Sequence, residues 1–588
     1  MNNDKKQMLN CIIMADLIKL VVWREKMNIV KLNSKFEYTL NLTVSLMLAA
    51  APKYIQMGYC KFNLGYFLTV LWIFMALTVI SWGLRSKLLN NSINKDAFFD
   101  SNKWIKIIFN SKYSVLYITL IIFSCWLPVI ISLYPGTLIN DTWGQLGEFI
   151  NFSKGGVIHK GVLSDHHPFV DTLIMGSIIT PFGKFFHNWQ LGIFVYVIIQ
   201  AFFSALSFSL TVKYAHAKLM LKNTFLVFMV AFYALCPIFP ASVQTVSKDA
   251  LFSWIYVIFI ILYIEAIRTK CQCFNNIKYD IWMIVVASLS ILTKKVGLYV
   301  ILFSLLALIF LIPKNRIKSF GVLIVTLFIS VGLSGMIKSN LKVVPGGKQE
   351  MFSLPFQQTA RYYKYYKNEV TKKEYRTLNE VVDMKNIDKR YNPTLADPVK
   401  GYNDRGSTQQ YINYLKVWFA EGIKHPRVYF DAGVAMLSGW FSFSEYNPLM
   451  EMSWHSQLNP SLIPSTVPDR RGFFKYSSDT TQQFFNDLYS NPLFTIFLSY
   501  AFYATLIPVF VISTLCKKWY STELKYYWLA MVPLILSLVL GCWLSPVSIV
   551  FEGRRYLYPV VYTLPIMVAL CVSMYQKKSV NTFKRDDG

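Results

Sequence analysis

The sequence predicts an all-α polytopic membrane protein of about 12 transmembrane helices, with an extracytoplasmic domain of mixed, mainly helical character. Three observations predict it. The 588-residue chain is 54% hydrophobic and 16% aromatic, with a mean hydropathy of +0.38, far too apolar for a soluble protein of this length. Several windows carry almost no charge over about 17–23 residues, enough to cross a hydrocarbon core of ~30 Å. Clusters of lysine and arginine recur between those windows. A β-barrel would instead show short strands of alternating polarity.

Residues 1–37 are basic, and "MLNCIIMADLIKLVVW" is interrupted by Asp16 and Lys19. A cytoplasmic or interfacial segment is expected there, not a signal peptide or a span. Apolar windows follow at 38–57, 63–84, 114–133, 190–212, 224–240, 249–267, 281–293, 297–312 and 319–337. They make an N-terminal transmembrane region, 38–337, with an outer loop at 134–189. Residues 338–491 are expected to form the extracytoplasmic domain. The region 492–576 holds the last windows, 492–514, 526–543 and 556–574, and 577–588 is a basic cytoplasmic tail. The piece "VDTLIMGSIITPFGKFF" has the length of a re-entrant or interfacial segment, and Pro181 and Gly183 interrupt it.

Charge orients these spans. The clusters around Arg85–Lys112, Lys213–Lys222, Arg268–Lys278, Lys314–Lys318, Lys517–Lys525 and Lys577–Arg585 all fall on one side when the spans alternate, and that side is the cytoplasm. The net charge of +27 is then read as topology and contact with membrane lipids, and not as nucleic-acid binding. The other side receives the loop 134–188, the corners "SVQTVSKDA" and "TKKVG", the domain 338–491 and the loop "SPVSIVFEGRRY". Lys294, Lys295, Arg554 and Arg555 stand where the positive-inside tendency disfavours them. Cations beside acids at headgroup depth suit an anionic lipid phosphate.

The outer residues allow more than one reading. Asp141 is either the cap of a following helix or a carboxylate held above the bilayer as general base or metal ligand. Trp143, Leu146, Phe149, Ile150 and Phe152 recur at helical spacing, which suggests a helix on the membrane surface. In "SDHHPF", His166 and His167 are boundary packing, substrate contacts or metal ligands. Asp165 accompanies them, and Asp171 is a structural hydrogen-bond partner or a catalyst. Asp249 fits a helix N-terminus, but Lys248 beside it does not. Arg555 anchors at the interface with Tyr556 or binds phosphate, with Arg554 and Glu552 as neighbours. Nine scattered cysteines leave 338–491 without any, so no disulfide framework is expected there. The lone pair Cys271 and Cys273 lacks the companions of a metal site. Walker A, dinucleotide-binding and zinc-protease motifs are absent.

The ordered motifs "YPGTLINDTWGQ", "SDHHPF", "SKDAL", "TKKVGLY" and "EGRRYLYP" resemble bacterial integral-membrane glycosyltransferases of the GT-C type. The likeness is to a little-characterised Gram-positive branch grouped with domain-of-unknown-function membrane proteins. "LPFQQTARYYKYY" and "YNPTLADPVK" fit that branch, and the resemblance runs from Tyr134 to Pro559. It implies a GT-C-like fold in the plasma membrane. It also implies inverting transfer of a sugar from a polyprenyl-phosphate donor to a cell-envelope glycan, glycopolymer or protein outside the membrane. Carried over, Asp141 is the catalytic acid, His166 and His167 shape the acceptor or metal pocket, and Lys248, Lys294, Lys295, Arg554 and Arg555 grip the donor phosphate. Asp165, Asp171, Asp249 and Glu552 are secondary candidates. Many such enzymes carry two adjacent acids where this chain has Asn140 and then Asp141. That favours a single base and leaves a divalent cation as an open option. Two other functions are weighed: a transporter or flippase of lipid-linked glycans, which needs charges in mid-helix and a repeat, and a non-enzymatic envelope-glycan assembly protein.

Overall fold

A computed structural model describes residues 35–91, 99, 101–154, 163–347, 351–401, 406–444, 473–516, 524–544 and 549–575. The architecture is helical, consistent with an all-α membrane protein. The only strands among the described residues are Thr137–Leu138 and Thr245–Val246, which pair in parallel. The expected interfacial segment 1–37 falls almost wholly outside the described residues, as does the basic tail.

Among the described residues seven helices are long and apolar enough to cross a membrane: Leu64–Leu84, Ser114–Ser132, Trp189–Ala217, Lys248–Arg268, Arg316–Asn340, Leu524–Trp543 and Gly553–Met574. Shorter apolar helices lie at Asn223–Leu235, Lys295–Leu311 and Phe502–Leu515. The last long helix is the central post, with 94% of its apolar window buried, whereas Leu64–Leu84 is peripheral at 17%. Lys248–Arg268 packs against that post, against Trp189–Ala217 and against Ile277–Thr293.

Two windows are broken where the sequence suggested continuity. The segment 224–240 stops at Leu235, and Pro237 caps a separate short helix, Ile238–Val243. Proline has no N–H to continue the ladder and sterically disfavours the helix before it. The segment 492–514 breaks at Ser499, whose backbone is extended. The opposite departure occurs at Phe169–Phe185, one helix that carries Pro181 inside it. Gly183 does not interrupt this helix: it is the spot on which the Trp189 indole lies.

Helix Asn140–Lys154 corrects another expectation. Its apolar face does not lie on a membrane surface, because Trp143, Leu146 and Ile150 are buried in the main core. The Phe149 ring sits where a side chain at Gly176 would stand, so these two helices approach closely.

The bundle has two distinct ends. Lys248, the junction at Lys294, and Asn340 mark one end of four successive helices, Lys248–Arg268, Ile277–Thr293, Lys295–Leu311 and Arg316–Asn340. The turns after Arg268 and Leu311 mark the other. At that second end Asn315 Nδ2 donates to the Cys271 carbonyl at 2.9 Å, and Lys318 Nζ donates to Asn275 Oδ1 at 2.8 Å. Tyr214 donates to Glu265 at 3.0 Å, and Glu265 also pairs with Arg268. Lys213 reaches the Phe109 carbonyl. The described parts of the basic connections at 103–112, 213–222, 268–278 and 314–318 therefore gather at one end. Described residues between 352 and 418 build a second, smaller core around Phe356, Val381, Val382 and Tyr414.

Candidate functional site

The site begins with a backbone device. The chain leaves helix Ser114–Ser132 and turns through Gly136, whose φ of +118° suits glycine. A side chain there would also strike Val197 Cγ2 at 2.5 Å. Thr137 then pairs with Thr245, and Leu138 with Val246. Thr142 Oγ1 donates to the Val246 carbonyl at 2.5 Å. Gln200 Nε2 clamps the partner strand by donating to the Val243 and Thr245 carbonyls at 2.7 and 2.9 Å. Asp141 lies just beyond one strand and Lys248 just beyond the other, so the parallel register sets them side by side. The cap of the 248–268 helix is Ser247, which accepts from Ala250 N, so Lys248 and Asp249 are free for other roles.

Three other segments converge on Asp141 Oδ2. Lys248 Nζ donates to it at 2.8 Å and Arg555 Nη1 at 2.5 Å. His167 Nδ1 lies 3.9 Å away and only 2.8 Å from Lys248 Nζ. A lysine ammonium can only donate, so His167 accepts on Nδ1 and carries its proton on Nε2. Burial and then Lys248 push the imidazole down to about 3, so it is neutral at ordinary pH. Burial alone would raise the Asp141 carboxyl, but Arg555 and Lys248 together outweigh it and hold the acid well below the usual carboxylate range.

Immediately behind lies a second pair. Lys294 Nζ is 2.8 Å from Asp249 Oδ1, and Arg555 Nε is 4.0 Å from Asp249 Oδ2. Lys294 occupies the extended break between helices Ile277–Thr293 and Lys295–Leu311. Gly297 makes that corner possible, since a Cβ there would lie 2.3 Å from the Ser290 carbonyl oxygen. Lys294 also faces the Phe252 and Tyr556 rings, each centroid 5.4 Å away. Arg555 thus spans two carboxylates instead of anchoring at an interface. Arg554 is half-buried on the same turn, and Glu552 belongs to the same helix but its side chain lies outside the described residues.

"SDHHPF" forms the rim. Asp165 N donates to the Val344 carbonyl at 2.7 Å, and Asp165 Oδ2 accepts from Lys338 Nζ at 3.1 Å. Lys295 Nζ donates to the Asp165 carbonyl at 2.6 Å. Gly346 passes so close that a Cβ would lie 2.8 Å from that same oxygen. The His166 and His167 rings meet edge to face at 4.5 Å. Asp171 is elsewhere. It is fully buried, and Gln145 Nε2 donates to its Oδ2 at 2.7 Å.

A model for a family of unknown function, DUF6020, matches residues 158–586. The chain belongs to this family. No curated protein and no solved structure matches it. The DUF6020 match takes in His166, His167, Lys248, Lys294 and Arg555, and begins after Asp141.

The described residues around Asp141 in this DUF6020 chain do not fit a divalent cation. The central donor is one carboxylate already bracketed by two cations, and the nearest imidazole nitrogen faces an ammonium. Among the described residues no three of His, Cys, Asp and Glu gather to hold a metal. Three contributors escaped the sequence reading. Lys338 ends a span at the site end, a position as disfavoured by the positive-inside tendency as that of Lys294. Gln145 stands one helical turn after Asp141, a spacing that shares a face. Glu148 accepts from Ser164 N at 3.1 Å, and nothing in its sequence context marked it.

Proposed function

We propose that this DUF6020 protein is a plasma-membrane glycosyltransferase of the GT-C type. It moves a sugar from a polyprenyl-phosphate-linked donor to a cell-envelope acceptor, with inversion. In this reading the chain crosses the membrane about twelve times, with the Asp141 end and the 338–491 region outside the cytoplasm. The observation that carries this reading is a single carboxylate, Asp141, held by Lys248 and Arg555 beside a neutral His167, at the end of the bundle opposite the basic loops.

The chemistry follows from competition for the cations. With no donor bound, Lys248 and Arg555 neutralise Asp141 and leave it a weak base. A donor phosphate engages the same two cations and withdraws them from the carboxylate, whose basicity then rises. The acceptor hydroxyl gives its proton to Asp141 as its oxygen bonds to the anomeric carbon. The bond from that carbon to the phosphate oxygen breaks on the opposite face. The lipid phosphate leaves with the bonding pair, stabilised by Lys248 and Arg555. His167 Nε2–H can donate to the sugar or to phosphate. Transport is less well supported, since the charges gather at helix ends and not in mid-helix.

Asp141→Asn tests this. The variant should reach the membrane at normal abundance, lose its surface glycan product and accumulate the lipid-linked sugar. Unchanged surface glycans would remove Asp141 from the reaction.

A further inference from the structure

Helix Thr408–Lys424 has three faces. Tyr411, Tyr414 and Glu421 point into the small core. Gln409, Asn413, Lys416 and Lys424 form a polar face. Between the two lie Ile412, Leu415, Phe419 and Ile423, exposed at 42, 37, 62 and 66%. At about 100° per residue these four share an arc of ~80°. Both ends of the helix are defined, by a capping box at Ser407 and by Pro426 opening the next helix. The stripe is therefore a fixed feature of an ordered helix.

What covers it follows from where the helix ends. The next helix, Pro426–Leu437, is fastened to the helix at 35–57 and to the candidate span Leu64–Leu84. Val434 and Ala435 pack with Ala50, Tyr54, Tyr66 and Val70. Val70 lies roughly 9 Å into the candidate span Leu64–Leu84. Tyr54 donates to Asp431 at 2.8 Å, Arg361 pairs with Asp431 at 3.2 Å, and Arg427 Nη2 reaches the Cys60 carbonyl at 3.4 Å. The stripe's C-terminal end thus arrives at the level where the spans begin. The free surface there is already apolar, with Phe62, Leu64, Phe67 and Leu68 exposed at 51, 75, 53 and 57%.

We infer that helix Thr408–Lys424 lies in the plane of the bilayer surface. Its Ile412, Leu415, Phe419 and Ile423 stripe sinks into the boundary between headgroups and acyl chains, continuing the lipid-facing surface of the first spans. Lys416 borders the stripe at the depth of lipid phosphates. The unit around the small core is then half-embedded in lipid and not held clear of the membrane. This stands whether or not the protein transfers sugar.

The test uses the full-length protein in phospholipid nanodiscs. Phe419→Cys and Ile423→Cys carry a bimane label, with Gln409→Cys as the polar-face control and the signal of the unmodified chain subtracted. Brominated phospholipid should quench positions 419 and 423 at least threefold more than 409, and aqueous iodide should show the reverse order. Iodide reaching 419 and 423 as readily as 409 overturns the inference. So does shielding from both quenchers, which would mean that a second copy or another protein covers the stripe. Should either variant fail to fold, Ile412→Cys and Leu415→Cys read the same stripe with the same outcomes.

Discussion

Asp141 and Asp171 are both acids near the same helix, and their surroundings give them opposite charge states. Asp141 is ionised between Lys248 and Arg555. Asp171 makes no ion pair among the described residues, and burial raises its carboxyl to about 7 despite the lowering effect of the Gln145 hydrogen bond and of Lys248. Asp171 Oδ1 and Gln145 Oε1 both lack a hydrogen-bond partner among the described residues, and a proton on Asp171 supplies the donor both need. Asp171 therefore fixes the Asn140–Lys154 helix through Gln145, as a protonated acid below about pH 7. Asp171→Asn should keep transfer within about threefold, whereas Asp141→Asn should lose on the order of 100-fold or more; a loss at Asp171→Asn equal to that at Asp141→Asn would make Asp171 a catalyst. Linkage gives a second readout. An unfolded Asp releases its proton near the ordinary 3.8, and folded Asp171 near 7. Between those values the folded state binds more protons, so stability is greatest at low pH and declines as pH rises towards 7. Asp171→Asn should remove that decline in thermal melts across the window. Arg555→Ala should lower thermal stability by about 3 kcal/mol, since Asp249 is fully buried and loses one of its two cations. Arg555→Lys should fold yet bind donor about tenfold more weakly, lacking the fork that reaches both carboxylates. Equal donor affinity in folded Arg555→Lys would count against the phosphate role. The sequence singled out Asp141, Asp171 and Arg555 by their placement near span ends. It could not assign charge states, because those depend on partners such as Gln145 and Lys248 that only folding brings near.

At the scale of elements, the site depends on pairings too short to see in the sequence. Two residues on each side, Thr137–Leu138 and Thr245–Val246, set Asp141 beside Lys248. No periodicity can reveal a strand of that length. The long apolar windows were legible, because twenty uncharged residues carry their own signal. The breaks at Pro237 and Ser499 were not placed, and the burial of helix Asn140–Lys154 was misjudged because an apolar helix face looks the same whether lipid or protein covers it. Gly136 is the hinge on which the pairing turns. Gly136→Ala forces a Cβ against Val197 in a backbone conformation that L residues avoid, a cost of roughly 1–3 kcal/mol. The variant should insert and remain helical while transfer falls at least tenfold. Normal transfer in Gly136→Ala would show that the strand pairing does not hold Asp141 in place.

Across the whole molecule, one geometric fact orders the charges. Cations that belong to ordinary loops meet at one end, as Asn315 with Cys271 and Lys318 with Asn275 demonstrate. Cations paired with acids meet at the other, as Lys248, Lys294, Lys338 and Arg555 do. The positive-inside tendency favours insertion with the basic loop end in the cytoplasm, and the proposed function requires the paired end to face outward. Two exposed lysines report on this, Lys342 just past Lys338 and Lys278 in the loop at the far end. Lys342→Cys should react with an impermeant maleimide on intact cells, and Lys278→Cys only after permeabilisation, each counted as the increase over the unmodified chain. The reverse pattern would put Asp141 and Arg555 in the cytoplasm, where water-soluble nucleotide sugars are available and a lipid-linked donor has no advantage. Reaction of both from the same side would mean that the helices between them do not cross, and the site would then lie on a surface and not at the mouth of a membrane bundle.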